Sequence, residues 1–421
     1  MKSLKTKSPS KALLTGLAAL ALSGAAFAQT PTITIYIAGA NGDRATTNTA
    51  VGNILQGETF TGVSNGTVTG SNYAKFTGGT FTSAEFGTVQ VNVKTSFQGA
   101  AAGIAQVAGS LPGYFLDDSS VADPTGNGAP RDPAVPQIAM STNFQATTPF
   151  RETYNGHFYE DLSANDYQVS VVGLKWYGSV GFPGDNITPQ TAQYLFGSGV
   201  IPLAFFTGSN ADHDKLVFAT GRNLDAGQRF VAQAESGIGI YGVVKHYKPT
   251  ISGQQTDGAT YKYGGQVDSQ VLWPVETYSG VSSQFLGNGG QDTGKNLAPF
   301  LSATLTANAY KLGNTFPNAT AGYYISYLTP QDGDNAATHG AVELKWNGVP
   351  YSTTNIAEGR YTFWTYEHLF YRSSLSGVEK AFADALRDQI KNVDAAVAGI
   401  FLNQVNVSRS GEGTIVKAKY F

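Results

Sequence analysis

Cysteine is absent from the 421-residue chain, methionine occurs twice, histidine five times, and charged residues make up only 14%. Without cysteine there are no disulfides, no thiol nucleophile and no thiolate metal ligands, so the fold rests on its apolar core. A chain of this length has ample material for two domains. A basic excess is also lacking: 27 Lys and Arg face 30 Asp and Glu, a net charge of −3, which argues against nucleic acid or an anionic membrane as partner. Past residue 28 no run is apolar for the roughly 20 residues a membrane helix needs. His213 stands between Asp212 and Asp214, but in a polar turn with no second cluster, which reads as a solvated loop rather than a metal centre. No metal and no cofactor are expected. What the chain does have is 50 glycines and 12% aromatics, the composition of a loop-rich globular protein.

The first 28 residues read as a leader rather than as part of the fold. Lys2, Lys5, Lys7 and Lys11 precede the apolar stretch Ala12 to Ala26, and Ala26-Phe27-Ala28 fits an A-x-A cleavage site. Cleavage would start the mature chain near Gln29, and the loss of those four lysines takes the net charge from −3 to −7. With no cysteine near that point there is no lipid attachment, so a soluble periplasmic or secreted monomer is expected.

An α/β pattern follows. Thr32 to Ala38 alternates as a strand, Gly39 to Gly42 breaks it, and Ala45, Val51, Ile54 and Leu55 give a weak helical period. Phe60 to Val93 turns rich in Thr, Gly and Ser, with Asn65-Gly66 as a hairpin signal, and reads as a surface β insertion. Val89 to Thr95 is a second strand, followed by small residues from Gln98 to Gly103 and a helix through Ile104 and Val107. Residues 117–136 carry Asp117, Asp118, Asp123 and Asp132 among prolines; their spacing lacks calcium-loop regularity and reads as solvated loop. Strands are expected at Val169 to Leu174, Ile240 to Tyr247 and Ala321 to Leu328, and helices at Thr188 to Phe196 and Leu297 to Tyr310. Asn347-Gly348 marks another hairpin. Tyr361, Phe363, Trp364, Tyr366, Phe370 and Tyr371 read as core rather than as a carbohydrate platform. Ser376 and Glu379 form a capping box before Phe382, Leu386 and Ile390, and Val405 to Phe421 reads as a β-like tail.

The stretch from Lys215 to Gly239 has the strongest chemistry. Leu216, Val217 and Phe218 suit a buried strand, Gly221 to Leu224 a turn, and Asp225 an N-cap with Gln228 three residues on. Ala226, Phe230, Val231 and Ala234 recur at helical spacing and Gly237 suits the helix end. A helix start offers unpaired N–H groups and a positive dipole end, so Arg222 and Arg229 flanking it make an oxyanion site. The alternative is that both arginines pair with Asp225 or another carboxylate and bind nothing.

In this order the elements resemble the type 2 periplasmic binding fold, and specifically the phosphate-binding protein of ABC importers and its exported relatives. IYIAGANGDR (Ile35 to Arg44) resembles the family's first ligand loop and VKTSFQGAAAGI (Val93 to Ile104) its second. GRNLDAGQR (Gly221 to Arg229) resembles its arginine loop, and AGYYISYLTPQD with Glu343 to Arg372 its return segment. The resemblance implies a two-lobed α/β protein with mixed sheets, flanking helices and a hinge. Residues 29–170 and 327–421 would form lobe 1, with the β insertion, and residues 171–326 lobe 2. It further implies capture of a small ligand, phosphate or another oxyanion, between the lobes for ABC import, with a permease as partner and no enzymatic activity.

The implied site has Arg222 as charge partner, Ala226, Gly227 and Gln228 as helix-start donors, and Asn41, Ala100 and Ala101 from the other lobe. Asp117 or Asp118 would be the carboxylate. Ala226, Gln228, Ala100 and Asn41 stand where the family has hydroxyls, each lost hydrogen bond costing about 0.5–1.5 kcal/mol. Those losses favour a rival reading, an envelope or surface structural protein that keeps the fold and has lost high-affinity binding. A hydrolase using Glu367 and His368 ranks last, because neighbours on a strand face opposite sides.

Overall fold

The computed structural model describes residues 32–63, 67–123, 129–252, 262–278 and 281–419. The expected leader and cleavage site and the expected Asn65-Gly66 hairpin turn lie outside the described residues. Two mixed sheets organise the rest. Seven strands form the first: β1 (Ile33–Gly39), β2 (Thr59–Val63), β3 (Tyr73–Ser83), β4 (Gly87–Ser96), β5 (Ile138–Ser141), β6 (Asp166–Gly173) and a late strand, Trp364–Tyr371. The second has β7 (Lys175–Gly178), β8 (Asn186–Ile187), β9 (Val200–Pro202), β10 (Lys215–Ala219), β11 (Ala321–Leu328) and β12 (Val342–Trp346); the late strand of the first sheet is β13. The spatial orders are β6-β13-β5-β1-β4-β3-β2 and β8-β12-β7-β11-β10-β9.

β1 runs parallel to both β4 and β5, and β10 runs parallel to β11, so each sheet gathers several strand C-termini at one edge. Ligands of open α/β sheets bind outside such edges. Alternation along the strands places helices on both faces of the first sheet. Ile138, Met140, Leu369 and Tyr371 share a core with α1 (Arg44–Ile54) and a C-terminal helix, Gly377–Gln389; its Phe382 and Leu386, and Ile390 just past its end, are fully buried. Ala139 and Phe370, pointing the other way, pack with Ala101, Ile104 and Ala105 of α2 (Ala100–Gly109). The expected β insertion continues this sheet: β3 pairs with β4 and buries Ala74, Phe76 and Phe81, with β2 at the edge.

The chain leaves the first sheet after Gly173 and enters the second at Lys175. Ala321–Leu328, expected to open the return, is β11 of the second sheet, and the first sheet is rejoined only at Trp364. The aromatic run is core. Tyr361, Phe363, Trp364, Tyr366, Phe370 and Tyr371 are all buried, and Trp176, Trp346 and Phe363 form a triangle of rings with centroids 5.2–5.7 Å apart. Asn347 and Gly348 take positive φ (52° and 83°) as a two-residue hairpin requires, with Trp346 and Val349 exchanging backbone hydrogen bonds.

Local signals misled at four points. Residues 240–246 form no strand, because Gly237 and Gly239 take positive φ and Gly242 closes a turn on Gly239; the strand begins at Tyr247. Leu297 to Tyr310 breaks after Leu301, where Ser302 turns back on Pro299, Thr304–Leu305 joins a small sheet, and Thr306 caps a new short helix. Ser376 makes no side-chain cap, and Glu379 accepts instead from Gln137. Asp225 is not the N-cap either: Ala226 occupies that position and the helix is Gly227–Glu235 (α3 in the site below).

Candidate functional site

The C-terminal edges of β1, β4, β5 and β10 meet at one small cavity. Ala40, Asn41 and Gly42 reach it from β1, Gly99 and Ala100 from β4, Thr142 from β5, and Arg222, Ala226, Gly227 and Gln228 from β10. Six of the eight residues expected from the sequence thus line one space. Ala101 lies one position deeper in α2. Asp117 does not join them: its carboxylate accepts from Ser119 and Ser120, and Asp118 pairs with Lys94 at 2.8 Å. Both belong to a loop that ties down the far strands of the first sheet, with Lys75 donating to their carbonyls.

Arg222 is fully buried. Its Nε donates to the Gln291 carbonyl (3.1 Å), Nη1 to Gln228 Oε1 (3.1 Å), and Nη2 to the Asp292 carbonyl (2.7 Å) and Asn41 Oδ1 (3.5 Å). Arg229, equally buried, donates to the carbonyls of Arg222 and Asn288 and to Asn288 Oδ1. Among the described residues neither forms an ion pair. Burial pulls both guanidinium pKa values down; at Arg222 the nearby Asp292 and Asp332 oppose this. The sequence alternative of arginine–carboxylate pairing is therefore not how these groups are satisfied. Carbonyl and amide oxygens hold them in place.

The amino ends of α2 and α3 point into the same region, so two dipole ends and a buried guanidinium make the cavity electropositive. Its free volume is only about 10 Å³, room for a single water. The closeness has a plain cause. The Asp225 carbonyl accepts from the amides of Ala101 (3.0 Å) and Ala102 (3.2 Å), filling the anion-binding position at the start of α2. A Cβ on Gly99 would overlap that carbonyl, and one on Gly227 would overlap Asn143 Oδ1, Thr142 Oγ1 and Ala100 Cβ. Two glycines let the loops interlock.

Sequence reasoning missed Thr142 and Asn143, because the short strand Ile138–Ser141 that presents them follows directly on an Asp- and Pro-rich stretch. The signal available was IAMS, four residues of apolar or small character ending in Thr-Asn. It also missed Asp43, whose fully buried carboxylate has both oxygens without a hydrogen-bond partner, and Gln291 and Asp292, whose carbonyls hold Arg222.

No family model matches the chain, and no curated protein matches it. Among solved structures, the chain is similar to an ABC-type phosphate transport receptor from Vibrio cholerae (12% identity, TM-score 0.44, covering 87% of this chain and 99% of that one). It is also similar to a protein from Clostridium perfringens described as a phosphate ABC transporter substrate-binding protein, with phosphate bound (12%, 0.42, 88% and 99%). PstS from Borrelia burgdorferi is a third (11%, 0.38, 87% and 95%). Likeness at these scores assigns no ligand.

Proposed function

We propose that this chain is a two-lobed solute-binding protein whose ligand is a small oxyanion held between the sheets. In this reading residues 32–173 and 364–419 make one lobe and residues 175–346 the other. The observation that carries it is Arg222: a guanidinium buried without an ion pair, at a cavity where two helix amino ends converge. A buried positive charge flanked by positive dipole ends favours a negative guest. Asn41, Thr142, Gln228 and backbone amides of Ala100, Ala101 and Gly227 would supply further donors once the Asp225 carbonyl withdraws from α2. Delivery to an ABC permease, outside the cytoplasm, is the finer part of the same reading. Catalysis is not part of it. Glu367 accepts from Ser170 while His368 reaches Asp166, on opposite sides of β13.

One observation favours the second reading, a structural protein that retains the fold without a ligand: the closed cavity admits about one water and α2 is already capped by protein. Calorimetry and thermal shift of the purified chain with phosphate, sulfate and other oxyanions decide between them. Binding reading: at least one oxyanion raises the melting temperature at millimolar concentration, and Arg222→Met abolishes the rise. If no oxyanion shifts it, the structural reading stands and the binding reading is abandoned.

A further inference from the structure

A second and far roomier cavity, about 370 Å³, lies away from the interlobe site and shares no residue with it. Its walls come from residues 144–166, the excursion between β5 and β6. A hairpin, Glu152–Tyr154 paired with His157–Tyr159, forms one side, its Asn155-Gly156 turn at positive φ (49° and 79°). Gln145 braces the base: its Nε2 donates to the carbonyls of Phe150 (3.0 Å) and Glu160 (2.7 Å), and its Oε1 accepts from the Leu162 amide (2.8 Å). The cavity is thus framed by a satisfied hydrogen-bond scaffold rather than by a loose loop.

The lining has two characters. Phe144, Phe158 and Tyr159 supply aromatic surface, and Phe158 is 68% exposed although the chain has a core to bury it in. Asp161, Asp166 and Glu152 supply carboxylates against a single cation, Arg151. The two aspartates are held differently. Asp161 accepts from the Ser163 amide (2.9 Å), which keeps its carboxyl below the usual range and ionised. Asp166 is anchored from behind, its Oδ1 2.5 Å from Nδ1 of the buried His368, whose ring packs against Phe144 at 4.4 Å.

From this arrangement we propose that the cavity is a binding site for a small organic cation with an apolar body, of the arylalkylamine class. The rings would take the apolar body and part of the charge through their negative faces, and Asp161 and Asp166 would receive the ammonium. An anion would meet three carboxylates and one arginine. A neutral apolar guest would bury those carboxylates without compensation. The volume matches a ligand of one ring and a short chain.

The test uses the whole chain and three one-ring probes of similar size: benzylammonium, benzyl alcohol and benzoate, followed by NMR titration or calorimetry. Benzylammonium binds at millimolar concentration or below, benzyl alcohol and benzoate at least about tenfold more weakly. Asp161→Asn and Phe158→Ala each weaken benzylammonium by about tenfold. Both residues are exposed, so these variants should fold, and an unchanged melting temperature verifies it. The assignment is overturned if benzylammonium does not bind, binds no better than benzyl alcohol, or binds both folded variants as it binds the parent. Oxyanion titrations at the interlobe cavity are run alongside; their outcome bears on the function proposed above and leaves this one untouched.

Discussion

Asp225 caps the opposite sheet's helix: its carbonyl accepts from the Ala101 amide at 3.0 Å, though Asp225 lies in the loop after β10 of the second sheet and Ala101 in the helix after β4 of the first. This one backbone group does for α2 what a bound anion would do, and Gly99 is what lets it approach. Adding a methyl there forces the loops apart. Gly99→Ala is expected to destabilise the chain by about 1–3 kcal/mol, the usual cost of overpacking. Amide exchange at Ala101 and Ala102 should quicken in the same variant. Unchanged exchange at those two amides would show that the carbonyl does not hold the helix.

The far end of α3 is tied down as well. Glu235 forms a buried ion pair with Arg409 of the C-terminal tail, whose guanidinium also lies 4.0 Å over the Trp364 ring. Three residues on, Glu412 accepts from Thr365 of β13 and from Thr147. The tail therefore straps α3 to the seven-stranded sheet. Glu235→Gln leaves the Arg409 charge buried without its partner, and a loss of about 3 kcal/mol is expected in chemical denaturation, at the low end for a broken buried pair because glutamine still accepts. A loss below about 0.5 kcal/mol, the size of a surface pair, would contradict the strap.

His246 predicts acid sensitivity. The ring is fully buried, its Nδ1 donates to the Gly289 carbonyl (2.7 Å), and burial followed by the charge of Arg229 lowers its pKa to about 3. The unfolded chain takes up that proton near pH 6.5, so the contribution is intact above pH 6.5 and is lost progressively as pH falls towards 3. Full loss amounts to a few kcal/mol. Melting curves at stepped pH check it: His246→Gln should flatten the slope across this window.

Asp43 predicts the opposite slope. Burial without hydrogen-bond partners raises its pKa well above the ordinary carboxylate value. Its contribution is therefore present below the unfolded carboxylate pKa and lost as pH rises through the raised one. Asp43→Asn should stabilise the chain at pH 8 by about 1–2 kcal/mol and much less at pH 4. An equal effect at both values would mean that the carboxyl does not titrate as its surroundings demand.

Much of this was legible because the carrying features are local. β1, α2 and the Gly221–Gly237 segment show as strand, small-residue turn and helix in the sequence, and the resemblance of their loops to those of the phosphate-binding proteins is what groups Asn41, Ala100, Arg222, Gly227 and Gln228. What could not be read depends on contacts between distant segments. Asp225 looks like an N-cap in isolation, yet its carbonyl answers to α2, some 125 residues earlier. The carboxylate expected at Asp117 failed because nothing local distinguishes that loop from the strand end at Ser141. A local reading pairs Arg222 and Arg229 with carboxylates, whereas their acceptors are amide oxygens of Asn41, Gln228 and Asn288 and backbone carbonyls, most of them from residues 288–292, set by the fold rather than by composition.

β13 has a consequence for how this molecule comes into being. It fills the slot between β5 and β6, strands completed some two hundred residues earlier in the chain, and pairs antiparallel with both. Until residues 364–371 arrive, those strands present two unpaired edges with buried-type side chains, the arrangement most prone to wrong partners. Completion of the first sheet therefore waits for nearly the whole polypeptide, and such distant pairings are expected to slow folding. A chain truncated ahead of Trp364 would retain most of its sequence and still lack a finished sheet.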